Sequence, residues 1–178
     1  MRIISGQLKG RRIQPPANKW PTRPTTDFAK EGLYNILQNR LDFQELRVLD
    51  LFGGAGNHTF ECLSRGSTDV TYVDKHSPCC RFVTETAKSW HIDESLLVRN
   101  MDVLSFLKLA QEPYDYIFAG PPYQFPLIDN LPDLVLQSGL LAVSGVFVME
   151  HDPTHRFDKH PRLAESRNYG KTIFSFFE

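Results

Sequence analysis

Two regimes of hydrophobic patterning divide this chain. In residues 1–42, two short β-prone runs, Ile3-Ile4 and Arg11-Arg12-Ile13, flank Gly6 and Gly10 and stop at Pro15-Pro16, which predicts a hairpin. A loop of Pro, Asn, Lys and Thr follows, up to Arg23-Pro24-Thr25-Thr26. Thr26 or Asp27 then caps a helix running to about Arg40, with Phe28, Leu33, Ile36 and Leu37 as its apolar stripe. From residue 43 onward, apolar runs alternate with helical stretches. Strands are predicted at 48–52, 70–73, 96–100, 114–119 and 145–150, and helices at 59–64, 77–90, 103–110 and 127–138. Ser77 is expected to cap its helix, with Pro78 in the first turn. Runs near 163–168 and 172–177 read as two last strands joined through Tyr169-Gly170-Lys171, which makes the final strand antiparallel. The near-continuous apolar run Val48-Leu49-Asp50-Leu51-Phe52 is of buried, parallel-strand type. This alternation predicts a doubly wound α/β sheet, built as one domain over residues 1–178: a hairpin and helix extension in 1–42 and a core in 43–178.

Composition narrows the setting. A hydrophobic fraction of 41% supports a core, and no stretch approaches the ~20 apolar residues of a membrane span. The start, Met1-Arg2-Ile3-Ile4-Ser5-Gly6, lacks the long apolar region of a secretion signal. Cys62, Cys79 and Cys80 form neither a disulfide framework nor a metal-ligand spacing, which fits a reducing cytoplasm. His151, Asp152 and His155 have ligand-like spacing but no further partner, so a polar loop without metal is expected. The net charge of −1 conceals an asymmetry: residues 1–40 hold eight Lys or Arg against two acidic residues, a balance of +6, and the remainder carries −7. A basic arm on an acidic body suggests a polyanionic partner.

The candidate chemistry sits at predicted strand ends. Asp50-Leu51-Phe52-Gly53-Gly54-Ala55-Gly56-Asn57 ends the first strand with three glycines that permit close approach of backbone to a ligand. The third glycine of a nicotinamide fingerprint is missing, since Asn57, His58 and Thr59 follow Gly56. Asp50 disfavours a pyrophosphate but suits the ammonium of an amino-acid moiety, as S-adenosylmethionine carries. Asp74 ends the second strand, where a carboxylate accepts from ribose hydroxyls or caps a helix. Asp102 and Val103 follow the third and are placed either to meet an adenine or to start a helix. The fourth strand, Tyr114 to Ala119, runs into Gly120-Pro121-Pro122-Tyr123. Two prolines cannot continue a central strand, so a stiff corner presents an aromatic ring beyond its end, where open α/β sheets bind ligands. Enzymes that methylate nucleobase amines use such a corner, normally with Asp or Asn before the prolines. Glu150, ending the next strand, is another candidate acceptor, and Phe125 either walls a base pocket or packs in the core.

Taken together these segments resemble the bacterial small-subunit (16S) ribosomal RNA guanine-N2 methyltransferase family. The similarity lies in Met1 to Gly6 with Lys9-Gly10-Arg11, in Arg23-Pro24-Thr25-Thr26-Asp27 and Glu31 to Leu37, in Leu49 to Phe52 with the glycine loop and Leu63 to Gly66, and in Tyr169-Gly170-Lys171-Thr172. The resemblance implies a Rossmann-like class I fold with a seven-stranded, mostly parallel sheet and an antiparallel last strand. It implies S-adenosylmethionine as cofactor, held by Asp50, Gly53, Gly54, Gly56, Asn57, Asp74, Asp102 and Val103. Pro121, Pro122 and Tyr123 would form the catalytic corner. Arg2, Lys9, Arg11, Arg12, Arg23, Thr25 and Thr26 would face ribosomal RNA or a small-subunit assembly particle. A cytoplasmic monomer active in rRNA processing is the expectation. Gly120 departs from the family pattern, which has an acidic residue there, so a catalytically impaired cofactor- and RNA-binding relative is the alternative, with methylation of another nucleobase amine as a further one.

Overall fold

The computed structural model describes residues 1–16, 20 and 25–178. Helix α1 (Asp27–Leu37) opens with the Thr26 hydroxyl accepting the Ala29 N–H at 3.2 Å. Strands and helices then alternate: β1 (Arg47–Leu51), α2 (Asn57–Ser64), β2 (Asp69–Asp74), α3 (Ser77–Ser89), β3 (Leu96–Asn100), α4 (Val103–Leu109), β4 (Tyr114–Ala119), α5 (Leu131–Gln137), β5 (Leu141–His151), β6 (Leu163–Tyr169) and β7 (Thr172–Phe177). The seven strands lie in the order β3-β2-β1-β4-β5-β7-β6. β1 to β5 pair in parallel, and β7 runs antiparallel to both β5 and β6. The expected doubly wound architecture, with its antiparallel last strand, is therefore the one observed.

Each central strand is apolar on both sides because helices cover both faces of the sheet. Val48, Tyr72, Tyr116, Phe118 and Val148 pack with α1, α2 and α3. Leu49, Leu51, Val73, Ile117, Phe147 and Met149 pack with α4 and α5 on the other face. Chain direction across the sheet reverses between β1 and β4, which opens a crevice beyond the strand C-termini at that point.

Several local expectations are corrected. Phe28 is 71% exposed, touching the Tyr169 ring edge-on at 5.7 Å, while Ala29, Lys30, Leu33, Tyr34 and Leu37 form the buried face of α1. The face is rotated because Lys30 is drawn inward by Glu61 at 3.1 Å. The N-cap of α3 is His76, and the Ser77 hydroxyl donates instead to Asn100 Oδ1 at 2.6 Å. The single helix over 127–138 is a 3-10 turn, Ile128–Asn130, followed by α5, where Pro132 in the first turn marks a fresh start.

The first residues form the predicted hairpin, with Arg2 opposite Arg12 and Ile13 N–H donating to the Met1 carbonyl at 3.0 Å. Helix α2 holds it. Glu61, fully buried, accepts the Ile4 and Ser5 N–H groups at 2.8 and 3.1 Å, the Arg65 guanidinium at 3.0 Å and the Lys30 ammonium at 3.1 Å. A buried carboxylate is tolerable only when paired in this way. Gly6 lies so close to α2 that a Cβ there would sit 1.8 Å from the Ser64 carbonyl oxygen.

Candidate active site

The tips of β1, β2, β3 and β4 converge on one crevice. At β1, Asp50 turns toward α2, where Oδ2 accepts both the Thr59 N–H, at 3.0 Å, and the Thr59 hydroxyl. Burial pushes the Asp50 carboxyl up to about 7; the two Thr59 bonds oppose that shift and the neighbouring Asp74 adds to it. The chain leaves β1 through Phe52, whose φ of 59° is left-handed and uncommon for an aromatic residue, and such backbone clusters at functional sites. A Cβ on Gly53 would lie 2.3 Å from the Tyr72 ring, so the loop lies flat against that ring. The Tyr72 hydroxyl donates to the Gly54 carbonyl at 2.7 Å.

At β2, Asp74 fastens the same loop. Its Oδ2 accepts the Gly54 N–H at 2.9 Å and its Oδ1 the His76 N–H at 2.8 Å. Asp102, just past β3, caps α4 by accepting the Ser105 N–H at 3.1 Å. Of the two readings left open for Asp102, the helix cap is the one observed, and the residue also lines the crevice. At β4, Gly120 still donates to the Leu51 carbonyl at 3.2 Å before the prolines end the strand. Phe125 folds back, its N–H on the Pro122 carbonyl at 2.8 Å and its ring edge-on to Phe52 at 5.1 Å.

These tips enclose a cavity of about 730 Å³. Its wall includes Asp50, Gly53, Gly54, Asn57, Asp74, Asp102 and Val103 on one side. Gly120, Pro121, Pro122, Tyr123 and Phe125 form the other, joined by Thr25 and Glu150. Gly56 is not part of that wall; it caps α2 at φ 76°, and a Cβ there would press the Phe60 ring at 2.8 Å.

The residues expected to meet RNA divide. Arg2, Lys9, Arg11 and Arg12 are exposed on the hairpin, with the Arg11 guanidinium 5.3 Å over the Trp90 ring. Thr26 caps α1, and Thr25 reaches into the crevice, where its hydroxyl donates to Glu150 Oε2. Arg23 lies outside the described residues. His151 bonds Ser175 at 2.8 Å and His155 bonds Asp129 at 2.7 Å; among the described residues no group of three His, Cys, Asp or Glu is placed to hold a metal.

Other wall residues carried no sequence signal. His58 stacks on Phe118 at 3.8 Å, lies 2.8 Å from the Tyr116 hydroxyl, and is held well below the ordinary imidazole range by burial and by the charges of Lys30 and Arg65. Cys79 lies 3.1 Å from His76 Nδ1, and burial pushes its thiol up to about 12, so it is no nucleophile at neutral pH.

Strand order, the glycine turn and a crevice at the sheet's reversal point define the Rossmann-like methyltransferase fold. A hypothetical protein of Thermus thermophilus shares it with a TM-score of 0.84 at 27% identity, covering 100% of this chain and 99% of that one. The whole of residues 1–178 matches the model of the family described as Conserved hypothetical protein 95, and the chain belongs to that family. Bacillus subtilis YlbH, provisionally named an rRNA methyltransferase, is 34% identical over 155 residues, 85% of this chain and 83% of that protein. Ribosomal RNA small subunit methyltransferase D of Haemophilus influenzae is 31% identical over 153 residues, 84% of this chain and 78% of its own length. Among the described residues no helix is long and apolar enough to cross a membrane.

Proposed function

We propose that this protein methylates the exocyclic N2 of a guanine in small-subunit ribosomal RNA, with S-adenosylmethionine as donor. The observation that carries the reading is the convergence of Asp50, Asp74, Asp102 and the Pro121–Tyr123 corner on one cavity of about 730 Å³. Relatives named as ribosomal RNA small subunit methyltransferases support the choice of substrate.

The donor set fits this cofactor, with carboxylates at three successive strand tips and a glycine turn packed against the Tyr72 ring, which leaves the crevice side of the turn free of side chains at Gly53 and Gly54. When bound, S-adenosylmethionine supplies an electrophilic methyl group on a sulfonium centre. Asp50 would take the ammonium, because an adjacent cation favours the charged form that burial now disfavours. Asp74 would accept from ribose hydroxyls. Asp102 would accept from the adenine amine, and Val103, the first residue of α4, carries one of the N–H groups that no helix carbonyl satisfies. Tyr123 supplies a ring on which an extruded base stacks, and the carbonyls of the proline corner accept from its amine. The exposed arginines and lysine of the hairpin meet phosphates.

The direct test is incubation with labelled cofactor and unmodified small-subunit RNA or particles. Transferred label that maps to a guanine amine is expected. A second reading, a cofactor- and RNA-binding relative without turnover, is favoured by Gly120, which has no side-chain acceptor. Cofactor binding with no transfer at high protein would select it.

A further inference from the structure

We infer that Glu150, oriented by Thr25, supplies the carboxylate that the proline corner lacks at Gly120; this rests on the methylation reading above. β4 and β5 are parallel neighbours with Phe118 opposite Val148 and Ala119 opposite Met149. Gly120 directly follows β4 and Glu150 follows Met149 within β5, so the register carried one residue further sets them side by side. Neighbouring strands run about 4.8 Å apart. Side chains alternate along a strand, and Phe118 and Val148 share one face of the sheet. A side chain at 120 would follow Phe118, since a Cβ there lies 3.3 Å from that ring. Glu150 follows Val148 onto the same face and, 6% exposed, lines the same cavity.

The carboxylate is positioned from the far end of the chain. Thr25 Oγ1 donates to Glu150 Oε2. The Thr25 carbonyl accepts from Asn57 Nδ2 at 3.3 Å, and Asn57 Oδ1 accepts from Lys30 Nζ at 2.9 Å. A carboxylate can accept several hydrogen bonds at once. In the reaction the amine nitrogen bonds the methyl carbon as the carbon–sulfur bond breaks, its electron pair staying on sulfur. The nitrogen thereby becomes positive, and it sheds one N–H proton to Glu150 and from there to water. A second carboxylate is not needed at 120.

The test uses the full chain and its altered forms: Glu150→Gln, Glu150→Ala, Glu150→Ala with Gly120→Asp, and Thr25→Val beside Thr25→Ser. Single-turnover transfer to unmodified small-subunit particles should fall about 10²–10³-fold in Glu150→Ala, the usual effect of losing one preorganised partner. Cofactor affinity should stay within about twofold, and Gly120→Asp should restore at least about tenfold of the lost rate. Thr25→Val should slow transfer, and Thr25→Ser should recover it. Independently of turnover, protein saturated with S-adenosylhomocysteine should bind guanosine monophosphate more tightly than inosine monophosphate, which lacks the 2-amino group. Glu150→Gln should erase that preference. An unimpaired Glu150→Ala, no rescue from position 120, or a wild type without the nucleotide preference overturns the inference. If the wild type transfers no label, the methylation reading falls, and the nucleotide comparison still decides whether Glu150 meets the amine.

Discussion

Replacing Asp50 by asparagine should weaken cofactor binding while making the ligand-free protein more stable at alkaline pH. Asp50 is fully buried, and its carboxyl is raised from 3.8 to about 7, with burial as the largest cause. A raised carboxyl pKa means that the group's contribution to stability is complete below about pH 4 and is lost as pH rises through 7. The shift of about three pH units corresponds to roughly 4 kcal/mol, at about 1.4 kcal/mol per unit. The asparagine side chain carries no charge, and its amide oxygen, placed where Oδ2 stands, can still accept both Thr59 bonds. For a chain of this size, a shift of that order moves the melting midpoint by about 10 °C. An ammonium reverses the preference, because it binds the ionised carboxylate. Wild-type affinity for S-adenosylhomocysteine should therefore fall about tenfold per pH unit below 7, or roughly 30-fold between pH 8 and pH 5.5. The assays are calorimetric titration and thermal melting across pH 5.5–8.5 for the wild type and Asp50→Asn. Subtracting the variant's profile removes the other groups that titrate in this range. Parallel affinity profiles in the two proteins, or a variant that melts lower than the wild type at pH 8, would refute the reasoning.

Glu61→Ala leaves Lys30 buried without its partner and removes the acceptor of two hairpin amides; a loss of about 3–5 kcal/mol is expected in urea unfolding, since breaking a buried pair strands the remaining charge. Gly53→Ala should cut cofactor affinity at least about tenfold by driving the glycine turn off the Tyr72 ring, read by calorimetry; an unchanged affinity would show that the turn does not meet the ligand. Changing Arg2, Lys9 and Arg12 together to glutamine should lower the slope of log affinity for ribosomal RNA against log salt by about 0.7–0.9 for each phosphate no longer neutralised, with no change in cofactor binding.

Much of the crevice could be read along the chain because it is built from local punctuation. Asp50 interrupts an apolar run just before the glycines, Asp74 and Asp102 stand at the ends of theirs, and the Pro121-Pro122 pair can stand only where a strand stops. What escaped reading is made of contacts between distant positions. Thr25 and Glu150 are 125 residues apart, and no period or spacing links them. The burial of Lys30 and Glu61 had no sign in the sequence, since charged residues are rarely buried unless paired, and pairing is invisible until the fold brings them together. Phe28 looked like part of a stripe, and the stripe turned away from it to admit that lysine. His58 follows the glycine turn without any motif, yet it stacks within the core beside the cavity.

Thr25 touches α2 through its carbonyl and β5 through its hydroxyl, so one residue of the arm belongs to the body's own inner wall. The basic arm is thus not detachable cargo. A hybrid that grafted this arm onto another catalytic body, or this body onto another arm, would inherit a broken wall. Any drift in one half of the molecule must be matched in the other, and tolerance to exchange should stop at that threonine.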